Sequence, residues 1–156
     1  MSFGARATVL LYVATVLFTL PVFGEMSSDP DTWYREDYAP LWADNPGANI
    51  ARLKTFYADE IVTHEMSGAI TREARSSWLV EPLQEWLADG WLSAELTAVR
   101  TQRINDTTAT FMAQWRDRYA DGESESSCGW YLADRVDGRW IFTEYAEVEC
   151  ETQAFE

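Results

Sequence analysis

One histidine, two cysteines and few basic residues are present, and each scarcity removes a class of function. His64 and the distant Cys128 and Cys150 form no zinc-ligand spacing, and Asp121 to Glu125 lacks the ligand pattern of a calcium loop, so no metal is expected. A phosphate-binding glycine loop and a nucleophile elbow are both missing, so no cofactor is expected either. Lys and Arg total 12 against 26 Asp and Glu, and a surface at net charge −14 repels phosphate backbones and anionic headgroups. Nucleic acid is therefore not an expected partner. The chain also lacks internal repeats, low-complexity tracts and interdomain linkers, and its 156 residues suit one domain.

What the chain does have is rings: eight Trp, seven Tyr and seven Phe, enough buried area to drive folding without a metal and to exclude a disordered protein. It also begins with a segment unlike the rest. Arg6 is the only charge in residues 1–24 and precedes the apolar and Thr run Ala7 to Leu20, with Val22 and Gly24 placed as the small residues of a cleavage site. The run is shorter than the roughly 20 residues that span a bilayer, so a cleaved signal peptide is expected, with no membrane attachment afterwards and an exported, periplasmic or secreted, mature chain. Export would permit a disulfide between Cys128 and Cys150, which flank the open end of an expected hairpin but stand about three places out of strict cross-strand register. Two small buried hydrophobes are the alternative. Asn105-Asp106-Thr107 is a glycosylation acceptor if the source is eukaryotic.

After a polar leader, residues 25–31, Asp29-Pro30 or Asp31 can cap a helix carrying Trp33, Tyr34, Tyr38, Leu41 and Trp42, which Pro40 should bend or end. Asn45-Pro46 starts a second helix with Ile50, Leu53, Phe56 and Tyr57 on its core face. A short strand spans 58–65, and Thr71 is expected to cap a third helix that Pro82 kinks and Gly90 ends. From Trp91 the period changes to two, with strands near 92–104, 107–119, 129–136 and 139–149. Helices first and an antiparallel meander second indicate an α+β domain, residues 32–150, followed by an acidic tail at 151–156.

This order resembles the nuclear transport factor 2-like superfamily, which includes ketosteroid isomerases, scytalone dehydratase and SnoaL-like polyketide cyclases. Three segments carry the resemblance: Tyr57-Ala58-Asp59-Glu60-Ile61-Val62-Thr63-His64, Asp89-Gly90-Trp91, and the pair Gly129-Trp130-Tyr131-Leu132 and Asp137-Gly138-Arg139-Trp140-Ile141. It implies a cone-shaped, curved antiparallel sheet with helices packed on its concave face. It also implies a pocket for a small molecule, with Trp42, Trp78, Trp86, Phe111, Trp115 and Trp140 as lining candidates that could equally fill a solid core. Glu65 falls where the ketosteroid isomerases keep an Asp general base, with His64, the sole histidine, beside it. Tyr38 and Tyr131 are the candidate oxyanion partners.

Three functions remain in view. The first is an exported SnoaL-like domain that binds a small apolar or aromatic molecule in its cone. The second is an isomerase, dehydratase or cyclase moving a proton with Glu65 or His64. The third is a homodimeric interaction module that pairs through the outer sheet face.

Overall fold

The residue pairs that open the first two helices behave as their chemistry requires. A computed structural model describes residues 26–150. The signal peptide expected over 1–24 and the acidic tail at 151–156 lie outside the described residues. Asp29 accepts from the backbone N–H and hydroxyl of Thr32 and caps α1 (Pro30–Thr32). A π-helical stretch, Trp33–Tyr38, leads directly into α2 (Pro40–Ala43). Asn45, in the left-handed region at φ 47, caps α3 (Pro46–Leu53) through its side-chain oxygen.

Of the two outcomes expected at Pro40, a bend or an end, it does not end the first helical stretch, and the π-helical segment explains why. Proline has no N–H, and its ring collides with the carbonyl four residues back. Widening the preceding turn, so that the Ala39 N–H bonds to the Tyr34 carbonyl five residues back, relieves that collision. The third helix repeats the device. In the π-helical segment Ser76–Val80 the Glu81 N–H reaches Ser76, and α4 (Glu81–Ala88) follows with Pro82 in its first turn.

Six strands form one sheet: β1 (Tyr57–His64), β2 (Ile70–Ala74), β3 (Trp91–Arg103), β4 (Thr108–Tyr119), β5 (Ser124–Val136) and β6 (Arg139–Glu147). Their order is β2-β1-β6-β5-β4-β3. The expected meander is present from β3 to β6, and the Asp137-Gly138 turn has positive φ at both positions, the form that suits a two-residue hairpin. Three features differ from the sequence reading. β1 runs parallel to β6, so the sheet is mixed. Thr71 does not cap a helix but sits in β2 opposite Thr63, because Ser67-Gly68 reverses the chain into a hairpin and the β-branched Ile70-Thr71 continue it. β5 starts at Ser124 rather than near 129; its first residues are polar and exposed, so no apolar alternation marks them.

Register shifts at Trp91/Ser93, Leu96/Ala98, Leu132/Ala133 and Tyr57/Val62 bend the sheet, since each extra residue sharpens local twist. The helices cover the concave side of the resulting cone. One end of the cone is packed solid. Trp33 is wholly buried, with its ring 4.8 Å from Phe142, 5.5 Å from Phe56 and 5.8 Å from Phe111, and Tyr34 stacks on Phe111 at 4.8 Å.

The bulge at Leu132/Ala133 also brings the cysteines together. It shifts the β5–β6 register by one residue, so Cys128 stands level with Val148 and the chain needs to gain only two places before Cys150. The two residues form a disulfide with their Cα atoms 5.3 Å apart.

Candidate functional site

Beyond Tyr38 the first helical stretch leaves the other end of the cone unfilled. A cavity of about 450 Å³ opens there between α2, the third helix and the strands. Ten rings border it: Tyr38, Trp42, Tyr57, Trp78, Trp86, Trp91, Trp115, Tyr119, Tyr131 and Tyr145. Leu79, Pro82 and Ala94 add aliphatic wall, while Asp89, Asp117, Ser127 and Glu147 supply the polar positions.

Strand parity builds most of this wall. Trp115, Asp117 and Tyr119 project to one face of β4, opposite Leu96, Ala94 and Trp91 of β3. Tyr131 of β5 pairs with Tyr145 of β6, their ring centroids 5.1 Å apart. Gly129 makes that arrangement possible. A Cβ there would lie 3.0 Å from the Tyr131 ring and hydroxyl and 3.0 Å from the Tyr145 ring, tighter than nearly all Cβ contacts, so both rings would have to shift by a few tenths of an ångström.

The polar groups are organised rather than scattered. The Trp91 indole N–H donates to Asp117 Oδ1 at 2.9 Å, and the Ser127 hydroxyl donates to Asp117 Oδ2 at 2.5 Å, so both carboxylate oxygens are held. The Tyr38 and Tyr57 hydroxyls bond to each other in the interior. Burial pushes the phenols of Tyr34, Tyr38, Tyr57 and Tyr131 well above their ordinary value. Desolvation first, then the charges of Glu147 and Asp117, push Tyr145 up to about 12.

Those shifts predict the alkaline behaviour of the fold. Unfolded tyrosines ionise near pH 10, whereas the buried ones resist ionisation while folded. Their contribution is complete below about pH 10 and is lost as pH rises past it. A phenolate absorbance titration is expected to show Tyr145 ionising near pH 12, with Tyr34, Tyr38, Tyr57 and Tyr131 ionising only together with loss of the fold's circular dichroism. Ionisation of these five tyrosines near pH 10 in a folded chain would contradict the packing.

Of the predicted site residues, Tyr38, Trp42, Trp78, Trp86, Trp115 and Tyr131 border the cavity. Phe111 and Trp140 do not. Phe111 belongs to the solid end beside Trp33, and Trp140 is almost wholly buried, its indole N–H donating to the Ser28 carbonyl at 3.0 Å. Neither candidate for proton transfer reaches the cavity. His64 faces the outer side of the sheet, where Nε2 bonds to Glu144 at 2.8 Å and the ring meets Trp130 edge-on at 6.2 Å. Glu65 lies one residue past the end of β1 in an exposed turn and accepts from the Ser67 hydroxyl at 3.1 Å. The strand stops before it could carry the carboxylate inward.

The sequence reading missed the other eleven lining residues, among them the rings Tyr57, Trp91, Tyr119 and Tyr145 and the carboxylates Asp89, Asp117 and Glu147. Alternation outward from Trp115 already points to Asp117 and Tyr119. Tyr145 required the β6 register, which the bulge displaces by one residue.

By sequence, the chain matches no family model and no curated protein. In structure it is similar to a nuclear transport factor 2-like protein of unknown function from Shewanella oneidensis, with a TM-score of 0.56, 11% identity, and coverage of 71% of this chain and 89% of that one. It is also similar to a provisionally assigned polyketide cyclase from Xanthomonas campestris, with a TM-score of 0.51, 16% identity, and coverage of 76% and 88%. A third likeness is to an uncharacterised cystatin-like protein from Caulobacter vibrioides, with a TM-score of 0.52, 17% identity, and coverage of 74% and 84%. At such identities the likeness lies in the chain path, and the curved six-stranded sheet closed by helices has the nuclear transport factor 2-like fold.

Proposed function

We propose that this chain is an exported binding protein that holds one small apolar or aromatic molecule in the open end of its cone. The observation that carries the reading is the cavity itself, about 450 Å³ bounded by ten rings. The polar groups at its edge would orient a ligand, and the rings would supply most of the buried area. Export is supported by the apolar N-terminal run and by a disulfide that an oxidising compartment maintains. Binding is preferred to turnover because neither His64 nor Glu65 borders the cavity.

A neutral environment-sensitive dye, N-phenyl-1-naphthylamine, tests the reading. One molecule per chain is expected to bind saturably, with energy transfer from the lining tryptophans. Ala94→Phe places a ring in the cavity from the wall at Ala94 and is expected to weaken the dye by at least tenfold while the circular dichroism stays native. Absence of saturable binding, or an unchanged affinity in folded Ala94→Phe, rejects the proposal.

A further inference from the structure

Every ionisable side chain that borders the cavity, apart from the tyrosines, is an acid: Asp89, Asp117 and Glu147. No Lys, Arg or His among the described residues lines it. Among the described residues, none of these three carboxylates takes part in an ion pair. Asp117 is bonded on both oxygens, but its partners, an indole N–H and a hydroxyl, are neutral and leave the negative charge uncompensated. The two wall components therefore act with the same sign. Ring faces carry the negative end of an aromatic quadrupole, and the carboxylates add formal charge beside them. The field reaches inward, since Glu147 and Asp117 help hold the Tyr145 phenol in its neutral form.

An anion entering this cavity would meet like charge without a basic partner among the described residues, and a neutral molecule would leave the half-buried Asp117 without a counter-charge. A cation with an apolar body satisfies both wall components at once: its charge meets Asp117 and Glu147, and its alkyl or aryl surface lies on rings. We infer that the ligand is a small organic cation, a tertiary or quaternary ammonium group attached to an apolar body. This inference rests on the binding function proposed above and adds the ligand's charge to it.

Three probes of nearly equal shape separate charge from fit: the 4-(trimethylammonio)phenol cation, neutral 4-tert-butylphenol and anionic 4-tert-butylbenzoate. They are to be titrated by calorimetry into the disulfide-bonded protein at low and at high salt. The cation is expected to bind at least tenfold tighter than its neutral isostere, the anion not measurably, and the preference is expected to shrink as salt rises. Glu147→Gln, at an exposed position, and Asp117→Asn are each expected to reduce the cation-to-neutral ratio at least threefold. Equal or tighter binding of the neutral phenol overturns the charge assignment and leaves the binding function standing. Saturable binding by none of the three overturns both. An unchanged ratio in both variants overturns the part given to the carboxylates.

Discussion

Replacing Trp33 by Ala is expected to lower stability by about 4 kcal/mol, a large part of the 5–15 kcal/mol that holds a domain of this kind folded. Trp33 is wholly buried and lies against Tyr38 of its own helical stretch and rings from three other parts of the chain: Phe56 before β1, Phe111 of β4 and Phe142 of β6. The lost transfer energy of an indole is joined by that of a void which stiff neighbouring rings close poorly. Its indole N–H has no partner among the described residues, so the substitution abandons no hydrogen bond and the cost is one of packing. Urea unfolding followed by circular dichroism measures it, with a fall in Tm of roughly 12 °C at about 3 °C per kcal/mol. Trp86→Ala is the control: that side chain is 49% exposed, and its removal should cost less than about 1 kcal/mol. A loss at Trp33 no larger than at Trp86 would mean that the solid end of the cone is not where the fold is anchored.

Opening the Cys128–Cys150 bridge is expected to cost about 3 kcal/mol, the loop-closure value for a separation of 22 residues. The position of the loop makes the effect reach further than the chain termini. It encloses β6, which joins β1 to the meander, and it carries Tyr131, Tyr145 and Glu147 of the cavity wall. Thermal unfolding with and without reductant should show a fall of roughly 9 °C. Dye affinity should drop in the reduced protein below its unfolding temperature, since β6 then frays from its C-terminal end. An unchanged Tm, with reduction verified by mass, would show that pairing with β1 and β5 alone secures β6.

Local chemistry made much of this architecture readable. Asp29-Pro30 and Asn45-Pro46 start helices through their own side chains and preset dihedrals, and Asp137-Gly138 closes a hairpin because both positions accept positive φ. The period-two pattern from Trp91 onward located three of the four meander strands nearly in full, and the α+β order led to the fold. The start of β5 escaped because Ser124 to Ser127 carry no alternation, and Thr71 was placed in a helix because a hairpin at Ser67-Gly68 was not anticipated.

The site was partly readable, for a different reason. Composition announced an aromatic interior, but it could not say which rings bordered space and which filled it. Trp33, Phe111 and Trp140 have the same chemistry as Trp42, Trp78 and Trp115, and only the path of the first helix decides which group is packed solid. His64 and Glu65 were placed by their neighbours in sequence, yet β1 ends at His64 with that ring on the outer face.

By itself, then, the sequence determined the acidic charge, the ring-rich core, the helix starts, the tight hairpin and the α+β class, all consequences of interactions within a few residues. The tertiary structure alone decided the parallel pairing of β1 with β6, the one-residue bulge that brings Cys150 within reach of Cys128, and the carboxylates at the open end of the cone that form no ion pair among the described residues. Those depend on contacts between residues far apart in the chain, where a shift of one position in a strand turns every side chain to the other face.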